Sequence, residues 1–410
     1  MGAESSKTCV IRGEPVLHPG SARDLAMNRR FEAGGPRVDG VNTMVGVVCS
    51  HCMPVINRAL NEPAFDAKER QRIVRQRIKD PAFINAAIQD NARARVDGIL
   101  GNLNGDTEWS RDVRELKEFL LQNLNKADFI EDGEGLELGR ALGCMNDEQR
   151  TIKFIQGLYG ALGNLDVRRE EIEMVDAGTG PIPLFGILAA LKSSKVKVTC
   201  LELNKGSAKM AEKIIERLGL QERVKVICTD ATKYQHDKPI DLLISETMHV
   251  GLTEEPQAQI FDNLAPQVNA DGVVIPESVI VKAGLVGEMD ARKLAGALPN
   301  IKDGLRPEFV NRTLQYASAP VEVAQLSRGS LLDSVRVDLP VDGLPEGDYR
   351  LALSSSVRVF GDIVLEKGDS PITAPSVNGT VLNISDKVKR VSAGYVPGTK
   401  MEDVNVVAEK

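Results

Sequence analysis

Apolar positions along this chain keep three rhythms in succession. Between residues 44 and 162 they recur three and four apart, in segments 67–78, 81–99, 112–125 and 146–162, which predicts amphipathic helices. Glycine and asparagine clusters at 101–105 and 133–135 punctuate them. From Glu171 short apolar runs alternate with helical segments across short loops, the pattern of a doubly wound parallel sheet. Strands are predicted at 172–176, 196–203, 224–228 and 240–245, with another beginning at 272–275. Helices are predicted at 182–191, at 205–218 with Gly219 as the stop, and at 254–264. Beyond Gly287 the pattern becomes apolar–polar alternation, at 335–339, 349–354 and 356–365, which predicts an antiparallel β region with one buried face. Residues 1 to about 45 sustain no period and read as a loosely structured arm. The expected fold class is therefore α/β, a doubly wound sheet with an N-terminal helical region and a C-terminal antiparallel β domain. The expected division is 1–145 for the arm and helices, 146–286 for the sheet domain and 287–410 for the β domain.

The chemistry gathers where the predicted strands end. Asp176 closes the first strand and leads into Gly178-Thr-Gly180, where two glycines let the backbone turn tightly and approach a ligand without a Cβ in the way. Glu202 stands near the end of the second strand, in the place where such folds hold a carboxylate against ribose hydroxyls. Asp230 and Ala231 follow the third strand and Glu246 the fourth. Ligands bind such sheets at the carboxyl ends of their strands, so acids at four successive ends point to a binding crevice.

Composition narrows the function classes. The net charge of −7 argues against a polyanion binder, and 4% aromatics with a single Trp109 gives little to stack nucleic-acid bases on. The basic stretch 68–79 reads as the solvated face of a helix whose stripe is Ile73, Val74 and Ile78. No apolar run reaches the length of a membrane span, and the N-terminus lacks a basic-then-apolar signal, so a soluble cytoplasmic protein is expected. Six cysteines form no disulfide framework; Cys200 and Cys228 read as small core hydrophobes. Cys49-Ser-His-Cys52 lacks a second cysteine pair at zinc-site spacing, so no metal is expected.

Together, Val175-Asp-Ala-Gly-Thr-Gly180, Glu202, Asp230-Ala231 and Glu246 resemble the class I S-adenosylmethionine-dependent methyltransferases. A more specific piece is Ser245-Glu-Thr-Met-His-Val-Gly-Leu-Thr-Glu-Glu255, which looks like the double-glutamate loop of the protein arginine methyltransferases, with the second Glu nine residues after the first. The stretch from Leu264-Ala-Pro266 to Asp271-Gly-Val-Val-Ile-Pro276 is also similar, and the resemblance covers about 150–285. It implies a Rossmann-like methyltransferase sheet and S-adenosylmethionine as cofactor. Asp176, Gly178, Gly180, Glu202, Asp230 and Ala231 would then line the donor site; Tyr159 is a candidate to pack over the donor or an ordinary core tyrosine, and Arg150 a candidate for its carboxylate. Glu246 and Glu255 would hold a cationic acceptor, and His249 is either a base near its working pH or a loop histidine with no role. An alternative for Glu255 is that it merely opens a helix, where the macrodipole favours an acid.

The family's Thr-His-Trp loop and paired-tyrosine helix have no counterpart in this sequence. The expected acceptor is accordingly a small amine or guanidino compound, with a protein arginine as the variant, under a helical lid. Two other readings share the cofactor: cyclisation of the donor's own aminobutyrate chain with release of methylthioadenosine, and donor binding without catalysis. The expected partners are a small-molecule or peptide acceptor, no nucleic acid, no membrane, and a second copy of the chain by analogy with the family.

Overall fold

The computed structural model describes residues 117–118, 120–121, 134–136, 138–288, 290, 315–330 and 334–409. The arm, the expected helices 67–78, 81–99 and most of 112–125, Trp109 and the Cys49–Cys52 motif lie outside the described residues. The chain divides into two compact units, Met1–Phe119 with Glu216–Gly219, and Leu120–Ile215 with Leu220–Lys410. The second holds both β regions and the candidate site, and it begins earlier than the expected boundary at 146.

Helix α1 spans Leu138–Cys144 and α2 spans Glu148–Asp166. Asp147 caps α2, its side chain accepting from the Arg150 N–H, and so fixes the start that periodicity had placed slightly early. Then follow β1 Ile172–Ala177, α3 Leu184–Lys192, β2 Val196–Glu202, α4 Lys205–Leu218, β3 Val224–Cys228, β4 Ile240–Ser245, α5 Gln257–Leu264 and β5 Val268–Ile275. The five strands form one parallel sheet in the order β3-β2-β1-β4-β5. Strands β1 and β4 lie inside it, and every residue of β4 is buried, as continuous apolar runs covered on both faces require. Strand β3 is an edge; Cys200 in β2 is buried as expected, but Cys228 at the end of β3 is exposed. The apolar run did not reveal that this strand has a neighbour on one side alone.

The parallel sheet stops at Ile275. The next strand, β6 (Ser278–Gly287), already belongs to an antiparallel sheet, so the change of sheet comes before the expected 286/287 boundary. The remaining strands are β7 Val321–Ser327, β8 Val335–Leu339, β9 Gly347–Phe360, β10 Ile363–Leu365, β11 Ser376–Val377, β12 Leu382–Ile384, β13 Arg390–Tyr395 and β14 Asn405–Glu409. One sheet runs β10-β9-β6-β7 with β11 and β12 also on β9; another runs β14-β13-β8. Strand β9 carries the alternation from 349–354 on through Phe360, and β10 takes its last residues. Strand β9 is not a hairpin partner of β8, which pairs with β13 instead. The stretches 283–286 of β6 and 351–355 of β9 are buried on both faces rather than one: α2 and the loop after β4 pack on β9, and Tyr316 packs over Gly284 of β6. Gly157 and Gly160 of α2 let the helix close on Val359 and Phe360; a Cβ on Gly157 would stand 2.7 Å from Val359 Cγ1. Among the described residues no helix is long and apolar enough to cross a membrane.

Candidate active site

The strand order reverses between β1 and β4, and the crevice at such a switch point is where open α/β sheets take ligands. The register Ala177↔Ser245 sets the glycine turn directly beside the loop that starts at Glu246. Gly178 and Gly180 have φ of 75° and 68°, in the left-handed region. At Gly178 there is a second constraint: an added Cβ would sit 2.0 Å from Thr247 Cγ2. At Gly180 an added Cβ would meet no atom within 4 Å, so there the turn opens on space.

Three carboxylates border that turn. Asp176 is buried and accepts from Thr179 Oγ1 at 2.7 Å and from the Gly186 N–H at 3.2 Å. Burial pushes its pKa up to about 7, against those two donors, with Glu202 adding to the rise. Glu202 accepts from the Gly180 N–H at 2.8 Å and the Asn204 N–H at 2.7 Å; burial again raises its pKa, while those amides act the other way. Pairing of Glu202 with Cys228 brings the end of β3, and hence Asp230, alongside. Asp230 is bound by its own loop, through the Thr232 N–H, Thr232 Oγ1 at 2.6 Å and Lys233 Nζ at 2.9 Å, which lower its pKa. Ala231 is buried, and its carbonyl accepts from Asn263 Nδ2 at 2.9 Å.

The loop from Glu246 to Pro256 carries the other cluster. Gln257, wholly buried, accepts from the Thr247 N–H and Oγ1, both at 2.8 Å, and donates to the Ser245 carbonyl. Gly251, at φ 69°, donates to Ser355 Oγ of β9 and accepts from the Tyr395 hydroxyl of β13. The Leu252 carbonyl accepts from the Gly398 N–H, and Glu254 N–H donates to Thr399 O. Leu252 and Glu254 hold positive φ at non-glycine positions, 50° and 63°, a strain maintained by those contacts from the β domain. Glu255 lies outside helix α5, which begins at Gln257 after the cap residue Pro256. Burial raises its pKa, with His249 the strongest opposing influence, so a solvated acid at a helix start does not describe it.

Glu246 and Arg150 form a buried ion pair. Arg150 Nη1 lies 3.0 Å from both carboxylate oxygens, and the two side chains are 10% and 13% exposed. Arg150 also donates to the Cys144 carbonyl at 2.6 Å and pairs with Asp147, which accepts from Ser370 Oγ of the β domain. Burial pushes Glu246 up to about 7; Arg150 opposes this, while Glu255 and Asp147 add to it. Burial works against the Arg150 charge, but Glu246 and Asp147 more than offset it, so its pKa is raised. Cys144 shares the cluster, and burial pushes its thiol up.

The structure thus brings together Asp176, Gly178, Gly180, Glu202, Asp230 and Ala231 along the strand ends, and Glu246, Glu255, His249 and Arg150 at their β4 side. Arg150, expected against a donor carboxylate, is seated on Glu246. Tyr159 does not join them: it lies further along α2, with Lys192 Nζ, at the far end of α3, 5.4 Å from its ring centroid. Asp147, Gln257, Thr253 and Ser370 were absent from the sequence reading. Asp147 before a helical run carries a capping signal; Ser370, more than two hundred positions away in the chain, carries none.

Comparison with known proteins follows the same line. No family model matches the chain. Mouse protein arginine N-methyltransferase 7 is 28% identical over 151 residues, 35% of this chain and 21% of that relative. Its chicken counterpart is 31% identical over 91 residues, 22% of this chain and 13% of the relative. Part of this chain is thus similar in sequence to protein arginine methyltransferases. The matched stretches span about a fifth or less of those relatives' own length. A solved structure of Arabidopsis thaliana protein arginine methyltransferase 10, in an open conformation, covers 64% of this chain and 93% of its own, at 13% identity and a TM-score of 0.43.

Gly178 gives a direct check on this geometry. Gly178→Ala places a Cβ in a left-handed conformation, which costs roughly 1–2 kcal/mol, before the clash with Thr247 is counted. The expected result is a loss of at least about 2 kcal/mol in urea denaturation, partly restored by Thr247→Ser. Neutral behaviour of the single variant would show the turn to be differently built.

Proposed function

We propose that this chain is an S-adenosylmethionine-dependent methyltransferase acting on the nitrogen of a guanidinium, with an arginine side chain as acceptor. The observation that carries the reading is the pair of partly buried carboxylates on one loop, Glu246 and Glu255, which act on each other electrostatically beside the glycine turn. The names of the relatives favour arginine over the small amine suggested by the sequence.

The residues at the strand ends fit the donor. The turn opens on space at Gly180, and the carboxylates of Glu202 and Asp230 keep lone pairs beyond those used by their own loops. Glu202 would accept from ribose hydroxyls, Asp230 from the adenine amino group, and the Gly178–Gly180 backbone would face the amino-acid end. The donor, when bound, supplies an electrophilic methyl on a sulfonium. The chain's part is positioning and electrostatics: ionised Glu246 and Glu255 hold the acceptor cation, and Arg150 keeps Glu246 aimed and charged in its buried setting.

Mass spectrometry of purified protein with S-adenosylmethionine, alone and with arginine-containing peptides and small amines, tests this. The expected products are S-adenosylhomocysteine and a methylated peptide. Methylthioadenosine formed without acceptor would instead make the donor the sole substrate. Donor binding with neither product would overturn the catalytic reading.

A further inference from the structure

Thr253 is wholly buried, four residues after His249 on the loop of the two glutamates. Its hydroxyl makes two bonds: Oγ1 donates to the Val250 carbonyl at 2.8 Å and stands 2.9 Å from His249 Nδ1. A threonine hydroxyl has one proton, and here it is spent on a carbonyl, which can do nothing but accept. Toward His249, Oγ1 therefore accepts, and the proton between them belongs to Nδ1. In the neutral ring this leaves the lone pair on Nε2, the reverse of the tautomer a solvated histidine side chain prefers.

We propose that Thr253 fixes His249 in the Nδ1–H tautomer, so that Nε2 is the proton acceptor of the site during transfer to the guanidinium. The inference rests on the methyltransferase reading above for the reaction, but not for the tautomer. As the acceptor nitrogen forms its bond to the methyl carbon, the donor's carbon–sulfur bond breaks with the pair left on sulfur. One N–H proton is then surplus and passes to Nε2, giving an imidazolium beside the ionised Glu255. His249 is half-buried, so the proton can leave to solvent. Among the groups that oppose the effect of burial on Glu255, His249 of the same loop comes first. The other ionisable groups around the pair are Glu246 and Glu254 on the same loop, Arg140 and Cys144 on α1, and Asp147 and Arg150 on α2. The residue signal for this device is modest: a histidine and a threonine at a spacing of four, inside a loop whose shape the β domain dictates.

Two readouts test it. The first is long-range nitrogen–proton NMR on the full chain labelled at its four histidines, with His249 identified through His249→Gln. The wild type is expected to show the Nδ1–H tautomer at His249, and Thr253→Val to return it to Nε2–H. Valine keeps the shape, and the Val250 carbonyl retains the residue-253 N–H at 3.4 Å, so the fold should survive. An Nε2–H tautomer in the wild type overturns the inference whatever the activity. The second is kinetics with an arginine-containing peptide: Thr253→Val is expected to lower kcat by about 10–100-fold with KM little changed, and Thr253→Ser to restore most of it. Equal kcat in Thr253→Val, with the tautomer switched, would remove His249 from the proton path. No turnover in the wild type, with the expected tautomer present, would count against the methyltransferase reading and leave the Thr253 lock standing.

Discussion

Glu246→Gln is expected to reduce methyl transfer by about 10²–10³-fold while leaving S-adenosylmethionine affinity unchanged, measured by single-turnover assay and calorimetry. The amide keeps the volume and a hydrogen-bond acceptor for Arg150, but it removes the charge that would face the acceptor cation. Donor affinity should be spared because the partners proposed for the donor, Gly178 to Gly180, Glu202 and Asp230, come from other strand ends. The wild-type enzyme should also show an acidic limb. Glu246 titrates at about 7, so the form that holds a cation accumulates as pH rises through that value, and the rate climbs with it. Turnover in the Gln variant equal to that of the wild type would dismiss Glu246 as an acceptor-holding group.

Arg150→Met is expected to be the most destabilising of the single changes considered, by about 3–5 kcal/mol in urea denaturation. It strips a guanidinium from between two buried carboxylates, Glu246 and Asp147, at 10–13% side-chain exposure. The cost comes from what remains: Glu246 is left buried without its opposite charge and is driven toward protonation. The double variant Arg150→Met with Glu246→Gln should recover a large part of the loss, because the orphaned charge has gone too. A double variant as unstable as the single, or a single that costs less than about 1 kcal/mol, would show that the pair is not coupled. Activity should fall in both variants, since Arg150 also orients the carboxylate.

Parallel strands were legible in the sequence because strands buried on both faces carry short apolar runs, Met174–Val175 in β1 and Leu242–Ile244 in β4, even with Glu173 and Asp241 beside them. The same rule blurred the boundary at β6: its second half is buried on both faces too, and its apolar run gave no sign that the sheet had changed. Alternation at 335–339 and 349–354 located strands but not partners, since pairing of β8 with β13 rests on contacts between distant parts of the chain. Tyr159 was drawn toward the donor by its place on the helix before the sheet. That helix is long: its cap Asp147 and first-turn Arg150 reach Glu246, whereas Tyr159, about three turns on, lies by Lys192 at the far end of α3.

By itself, then, the sequence determined what local chemistry determines: a glycine turn after an acid, carboxylates closing successive strands, and a loop with two glutamates. The tertiary structure alone decided how that loop is used. Positive φ at Leu252 and Glu254 is held by Thr399, Gly398, Ser355 and Tyr395, all from the β domain. Placement of Arg150 on Glu246, and of Glu255 outside its helix, depends on the same long-range packing. Burial there lifts carboxylate pKa values toward neutrality, and burial is a property of the folded assembly rather than of any residue in it.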